Sequence, residues 1–144
     1  MIAVDTNLLV YAHRSDSEFH DAALEALIDL AESGQRWAIP WPCLHEFISI
    51  VTHPRIYDPP SSIQLALDAI CVWAESPHCR MIGEGFDYFK NLKQIALGAK
   101  VAGPMIHDAR IAAICIENGV RLLWTADRDF SRFSPLKTHN PLIR

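Results

Sequence analysis

The chain has 144 residues, of which 50% are hydrophobic and 21% are charged. These proportions are typical of a folded globular protein and exclude a disordered chain. The formal net charge is -4, so the surface as a whole does not attract a phosphate backbone, and any contact with nucleic acid must be local. We expect one domain over residues 1–144.

The cysteines and the first residues indicate where the protein is found. Four cysteines are scattered without the CxxC spacing of a zinc or redox site, and we expect reduced thiols. The chain runs from Met1 straight into Ile2, without the basic region of a leader, and no stretch approaches the ~20 apolar residues of a membrane span. These features predict a cytoplasmic protein with no membrane partner.

Short apolar runs typical of β-strands alternate along the chain with segments of helical periodicity. The predicted strands cover residues 2–4, 37–39, 79–82, 120–125 and 136–139. The predicted helices cover residues 8–11, 18–33, 42–52, 63–74, 86–99 and 106–117. Because parallel neighbours need crossover connections, this alternation predicts an α/β fold with a mainly parallel sheet and helices on both faces.

Local signals refine four of these helices. Ser17 or Asp16 is a suitable cap for the helix at 18–33, Gly34 a suitable stop, and Pro42 suits the first turn of its helix. The helix at 106–117 is apolar on nearly every side and should be buried. The helix at 63–74 is predicted to be amphipathic, with an apolar face formed by Ile63, Leu67, Ile70, Cys71 and Ala74.

Acidic residues occur where such a sheet binds ligands. Asp5 follows the first predicted strand and Asp127 the fourth. Ligands of open α/β sheets bind outside the carboxyl ends of the strands, where neighbouring strands lie about 4.8 Å apart. Asp108 lies near the start of the buried helix and is expected to be drawn inward. Converging carboxylates repel one another and must take up protons or a cation, and oxygen ligands favour Mg²⁺ or Mn²⁺.

Each acid also has an ordinary structural explanation. Asp5 could form a turn with the two residues that follow it, and Asp108 could simply favour the helix dipole. Glu46 is turned away from the apolar stripe of its helix, as a solvated glutamate would be. Asp127 and Asp129 lie two residues apart, and either could be a ligand.

Four segments, in order, carry a resemblance that covers nearly the whole chain. They are VDTNLLVYA at 4–12, PCLHEF at 42–47, HDA at 107–109 and WTADRDF at 124–130. As a set they resemble the PIN-domain nucleases, and most closely the VapC-type ribonuclease toxins of bacterial toxin-antitoxin pairs. The resemblance implies a three-layer α/β/α fold and an endoribonuclease that hydrolyses RNA to leave a 3′-hydroxyl and a 5′-phosphate. It also implies a cognate antitoxin, and a homodimer is expected.

The resemblance assigns roles to residues of this chain. Asp5, Asp108 and Asp127 would bind one or two Mg²⁺ or Mn²⁺ ions, and Glu46 or Asp127 would orient or deprotonate the attacking water. The accessory polar positions are Thr6, Asn7, Thr125 and Asp129.

Two other functions fit part of the pattern. An aspartyl-phosphate phosphotransferase would share the strand-end Asp5, but Asn7 stands where its second acid is expected. A non-catalytic PIN-like module that binds RNA or protein is the other alternative.

Some flanking residues are also open to two interpretations. His45, His107 and Arg110 could contact phosphates or be solvated. Four tryptophans could stack on bases, although Trp37 and Trp124 lie in strand runs and are expected to be core or semi-buried residues.

Overall fold

The computed structural model describes residues 1–143. Five strands and six α-helices are present in this range, together with one 3₁₀ helix at Arg128–Arg132. The strands are β1 (Ile2–Val4), β2 (Trp37–Pro40), β3 (Cys79–Ile82), β4 (Leu122–Trp124) and β5 (Lys137–His139). The helices are α1 (Thr6–His13), α2 (His20–Glu32), α3 (Trp41–Val51), α4 (Ile63–Ala74), α5 (Tyr88–Gly98) and α6 (Met105–Glu117).

The strand order explains both the layers and the position of the site. The sheet has the order β3-β2-β1-β4-β5, and every neighbouring pair is parallel. Connections between parallel strands are right-handed. The chain moves across the sheet from β1 to β3, which places α1 to α4 on one face. It then returns to β4, which places α5 and α6 on the opposite face. The predicted three-layer α/β/α fold with a parallel sheet is confirmed. The direction of winding reverses between β1 and β4, where such sheets bind ligands.

The core follows the predicted apolar pattern. All four residues of β2 are buried, and α6 is buried from Ile111 to Cys115, as its nearly continuous apolar sequence predicts. The largest fully buried side chains are Trp37, Phe47, Phe130 and Phe133. This packing fixes the two elements that deliver Asp5 and Asp108, namely β1 and α6.

The predicted capping of α2 is wrong. The helix begins at His20, and its cap residue Phe19 makes no side-chain capping bond. Asp16 instead pairs with the Arg14 guanidinium at 2.6 Å, and the Ser17 hydroxyl accepts a bond from the Phe19 amide. Both side chains therefore bind within the preceding turn, which delays the start of the helix.

The predicted apolar face of α4 is wrong. Of its five residues, Ile70 is half-buried, whereas Ile63, Leu67, Cys71 and Ala74 are exposed. The face that packs on the core is formed by Ala66, Ala69, Ile70 and Trp73. Apolar residues occur on both sides of this helix, so periodicity alone does not determine which side the protein covers.

Within residues 1–143, no helix combines the length and the apolarity needed to cross a bilayer.

Candidate metal centre

Asp5 lies at the point where the winding of the sheet reverses. It directly follows β1, and its backbone amide donates to the carbonyl of Trp124 in β4 at 2.9 Å. Its side chain accepts from the Thr6 amide and so caps the first turn of α1. The end of one strand and the start of one helix therefore fix this carboxylate.

Both oxygens of Asp5 accept hydrogen bonds. Oδ1 accepts from the Thr6 amide at 2.8 Å and from the Cys43 thiol at 3.5 Å, and Oδ2 from the Thr125 hydroxyl at 2.7 Å and the Asn7 amide group at 3.4 Å. The side chain is only 5% exposed. Burial raises the pKa of Asp5, although the hydrogen bonds oppose this change. Asp5 is thus a preoriented, buried carboxylate.

The ends of β1 and β4 are joined by side-chain bonds. Thr125 Oγ1 accepts from the Asp127 amide at 3.0 Å, and Asn7 Oδ1 accepts from the Ala126 amide at 3.2 Å. The hydroxyl of buried Thr6 lies beside the Cys43 thiol and has no oxygen or nitrogen partner among the described residues. Three of the four predicted accessory residues, Thr6, Asn7 and Thr125, therefore contact Asp5 and orient it.

Three further carboxylates converge next to this network. Asp108, Asp127 and Asp129 each bring one oxygen within 4.8 Å of the others. Asp127 caps the 3₁₀ helix by accepting from the Asp129 amide at 2.8 Å, and Asp129 pairs with Arg132 at 3.2 Å. The pKa of Asp108 is raised by partial burial first, and then by the negative charges of Asp127, Asp5 and Asp129. Asp127 and Asp129 thus both approach Asp108.

Glu46 faces the same cluster from α3. Its side chain as a whole is exposed, yet the pKa of its carboxyl is raised, by partial desolvation first and then by the charges of Asp5 and Asp108. The imidazole of His107 is close enough to oppose this effect. The Glu46 carboxylate is therefore not an isolated solvated group. Of the four predicted acids, Asp108 and Asp127 converge within 4.8 Å together with Asp129. Asp5 and Glu46 lie outside this group and are coupled to it through their charges.

The donor set fits a hard divalent cation. Several carboxylates in one place repel each other unless a positive charge lies between them. Oxygen-only ligands favour Mg²⁺ or Mn²⁺ over zinc, which favours nitrogen and sulfur. Burial and the nearby charge of Asp5 raise the pKa of the Cys43 thiol, which keeps it protonated and unsuited to bind a metal.

From the sequence, Cys43 is expected only to be a reduced thiol, whereas in the structure it contacts Asp5. A signal was available, because Cys43 lies three residues before Glu46 and so shares its side of a helix. Arg110, one of the possible phosphate contacts, is already paired with Glu84 at 2.9 Å. The expectation that Trp37 is a core residue is confirmed, and Trp124 is half-buried.

Comparisons with known proteins place the chain in a class. Residues 2–135 match the family described as PIN domain. Ribonuclease VapC43 of Mycobacterium tuberculosis is 34% identical over 142 residues, covering 99% of this chain and 96% of the relative. Ribonuclease VapC48 of the same species is 30% identical over 139 residues, covering 95% and 94% of the two chains.

A solved structure agrees with the fold. The crystal structure of VapBC2 from Rickettsia felis, bound to a DNA fragment from its promoter, superposes with a TM-score of 0.71 at 19% identity and covers 97% of this chain and 98% of that one. The chain belongs to the PIN-domain family and, within it, to the VapC group.

Proposed function

We propose that the chain is a Mg²⁺- or Mn²⁺-dependent endoribonuclease and the toxin of a type II toxin-antitoxin pair, acting in the cytoplasm. One observation carries the proposal: Asp108, Asp127 and Asp129 converge within 4.8 Å at the winding reversal of the sheet, with Asp5 and Glu46 adding negative charge. The ribonuclease names of the relatives that match nearly the whole chain support the same reaction class.

Asp5, Asp108 and Asp127 are the residues that would hold the cation. The chemistry that a bound Mg²⁺ or Mn²⁺ supplies is activation of a water and neutralisation of charge that develops on the phosphate oxygens. Thr125 and Asn7 would keep the Asp5 carboxylate in position through their hydrogen bonds to Oδ2. Asp129 would be an accessory acid, because Arg132 already pairs with it.

Glu46 is the better candidate to orient and deprotonate the attacking water. A general base is most effective when its pKa lies nearer the working pH, and the pKa of Glu46 is raised towards it. Asp127 is less suited, since its Oδ1 already accepts the Asp129 amide. With the proton of the water taken up by the Glu46 carboxylate, the resulting hydroxide would attack the phosphorus in line and the P–O3′ bond would break. The leaving 3′-oxygen would take a proton from solvent, giving a 3′-hydroxyl and a 5′-phosphate.

The two alternatives are less well supported. An aspartyl-phosphate mechanism needs a nucleophilic Asp5, but both of its oxygens accept hydrogen bonds and the side chain is buried. A non-catalytic module has no need to gather carboxylates whose pKa values are raised by partial burial and then by mutual repulsion.

A protein partner is part of the proposal. Relatives of the same fold occur in VapBC complexes, and an apolar groove lies between α2 and α4 of this chain, lined in part by Leu24, Ile28 and Val72. All three side chains are exposed, so an antitoxin segment would remove apolar surface from water. The homodimer is a separate prediction that sedimentation of the purified chain can check.

The decisive experiment incubates purified protein with total RNA and Mn²⁺. We expect discrete fragments with 5′-phosphates, and no fragments with a chelator or with Asp108→Asn. Asp29→Asn is the matched control, because Asp29 is an exposed helix aspartate outside the cluster. RNA that stays intact with the wild type in Mg²⁺ and Mn²⁺ would refute the proposed function. Cleavage of single-stranded DNA alone would refute the assigned substrate.

A further inference from the structure

Basic side chains lie at the end of the sheet opposite the carboxylates. Four of the five strands have an arginine or a lysine beside or near their first residue. Arg36 precedes β2, Arg80 is the second residue of β3, Arg121 precedes β4 and Lys137 begins β5. All four side chains are exposed. Together they form a set that we call the basic row.

The parallel register places the three arginines of the basic row on one face of the sheet. The residues that follow Arg36 and Arg121 both pair with Ile2, so these two arginines lie at the same level on either side of β1. Arg80 pairs with Ala38, two residues after Arg36. Because side chains alternate between the two faces of a sheet, all three arginines project on the same side.

Two adjoining cavities follow the basic row. Arg36 and Arg80 line the first cavity, Arg121 and Lys137 line the second, and Gly119 borders both. Among residues 1–143, no acidic side chain lines either cavity. Four positive charges are therefore arranged side by side, without a carboxylate in the same cavities to neutralise them.

The usual structural roles of surface arginines do not account for the basic row. Within the described part of the chain, the lysine and arginine side chains that form ion pairs or hydrogen bonds are those of Arg14, Arg110 and Arg132. A cation in the last turn of a helix is stabilised by the helix dipole, and this effect does not extend beyond that turn. The helices before β2, β3 and β4 have no basic residue in their last turns. The donors of the basic row are thus available to a ligand.

The length of the basic row indicates what kind of ligand it fits. From β3 to β5 the row crosses four strand spacings, about 19 Å in total. A helical nucleic-acid strand presents one phosphate about every 3.4 Å, so about five or six phosphates would lie along the row. The triphosphate of a free nucleotide is too short to reach both ends. The described lining residues also include no aromatic side chain that could hold a base. These features favour a sugar-phosphate backbone.

We propose that the basic row is a second RNA-binding surface, which holds the phosphate backbone of a segment remote from the cleaved bond. The row lies at the opposite end of the strands from Asp5, about 13 Å away along β1 at about 3.3 Å per residue. It supplies the local positive charge that a chain with a net charge of -4 needs in order to bind a polyanion. The choice of RNA as the nucleic acid rests on the proposed function, whereas the contact with phosphates does not.

Two double variants that remove the same charge test the basic row. Arg36→Gln with Arg121→Gln removes two charges from the row. Lys90→Gln with Lys93→Gln removes two charges from α5, where both lysines are exposed and line neither cavity. Arg36→Lys with Arg121→Lys keeps the charge of the row. Binding of a fluorescent oligouridine about twice as long as the row is measured at several salt concentrations. A chelator is present, so that metal-dependent cleavage does not interfere.

We expect Arg36→Gln with Arg121→Gln to weaken RNA binding by about fivefold at low salt. The slope of the logarithm of the binding constant against the logarithm of the salt concentration should fall by about 1.4, because each lost phosphate contact contributes about 0.7. The variant with two added lysines in the row, and the α5 variant, should keep the slope of the wild type.

Three results would overturn the inference. Equal losses in the two glutamine double variants would show that only net charge matters. An unchanged slope in Arg36→Gln with Arg121→Gln would show that the row makes no contact with phosphates. Displacement of the RNA by polyglutamate as effectively as by unlabelled RNA would assign the row to an acidic protein segment.

The two proposals fail separately. If the wild type cleaves RNA in Mn²⁺ and Arg36→Gln with Arg121→Gln binds RNA as the wild type does, the RNA-binding row is wrong and the nuclease stands. If this double variant loses salt-dependent binding while the wild type cleaves no RNA in Mn²⁺, the row stands and the nuclease is wrong.

Discussion

Replacing Asp108 by asparagine is expected to stabilise the metal-free protein while it abolishes cleavage. Asp108 shares a 4.8 Å neighbourhood with Asp127 and Asp129, and its raised pKa shows that its ionised form is disfavoured in the folded state. Two unit charges at this distance repel by about 3.5 kcal/mol at an effective dielectric of 20, and by about 0.9 kcal/mol at the dielectric of water. Because Asp108 is partly exposed and Arg132 screens it, the lower value applies.

A gain of about 1 kcal/mol corresponds to a rise in Tm of about 3 °C for a domain of this size. The size of this gain depends on pH. The pKa of Asp108 is higher in the folded protein than its ordinary value of 3.8. Below pH 3.8 the carboxyl is protonated in both the folded and the unfolded protein and costs no stability. The cost grows as the pH rises through the folded-state pKa. The difference in Tm between Asp108→Asn and wild type should therefore vanish near pH 4 and be complete near neutral pH.

The assay is thermal unfolding in chelator and in Mn²⁺, at low ionic strength. A ligand present at about 100 times its Kd raises the free energy of unfolding by about 2.7 kcal/mol. Mn²⁺ should therefore reverse the order of stability, so that wild type becomes more stable than Asp108→Asn. Asp29→Asn should follow the wild type in both conditions. The reasoning is refuted if Asp108→Asn lowers the Tm in chelator, or if Mn²⁺ raises the Tm of wild type and Asp108→Asn equally.

Three more results are expected. Thr125→Val should lower the free energy of unfolding by about 1–3 kcal/mol and reduce cleavage, because the hydroxyl that donates a buried hydrogen bond to Asp5 is lost. Thr125→Ser keeps a hydroxyl and should restore both stability and cleavage. Chemical denaturation measures the change in stability. The acid limb of kcat/KM should lie above the ordinary pKa of 4.5 for Glu46, the proposed base, because the pKa of its carboxyl is raised, so a rate still at its plateau at that pH would contradict this role. Phe47→Ala should cost about 3–5 kcal/mol, since the ring is fully buried, and a loss in urea titration below about 1 kcal/mol would contradict that packing.

Much of the candidate site could be predicted because its residues lie next to strong local signals. Asp5 follows a three-residue apolar strand, and Asp108 opens a helix that is apolar on nearly every side. Glu46 was harder to predict as a site residue, because helical spacing turns it away from the apolar stripe of its own helix. The sequence could not decide whether Asp127 or Asp129 is the metal ligand, since they lie two residues apart. The structure brings both of them to Asp108.

The sequence by itself determined the alternation of strands and helices, the parallel sheet and the strand-end position of Asp5, because these depend on periodicities within a few residues. Only the tertiary structure decided that Cys43 contacts Asp5, that Ile63 stays exposed, and that Trp41 faces solvent. These outcomes depend on which distant segments pack together. Contacts between residues far apart in the chain arise from the whole fold, and no local pattern encodes them.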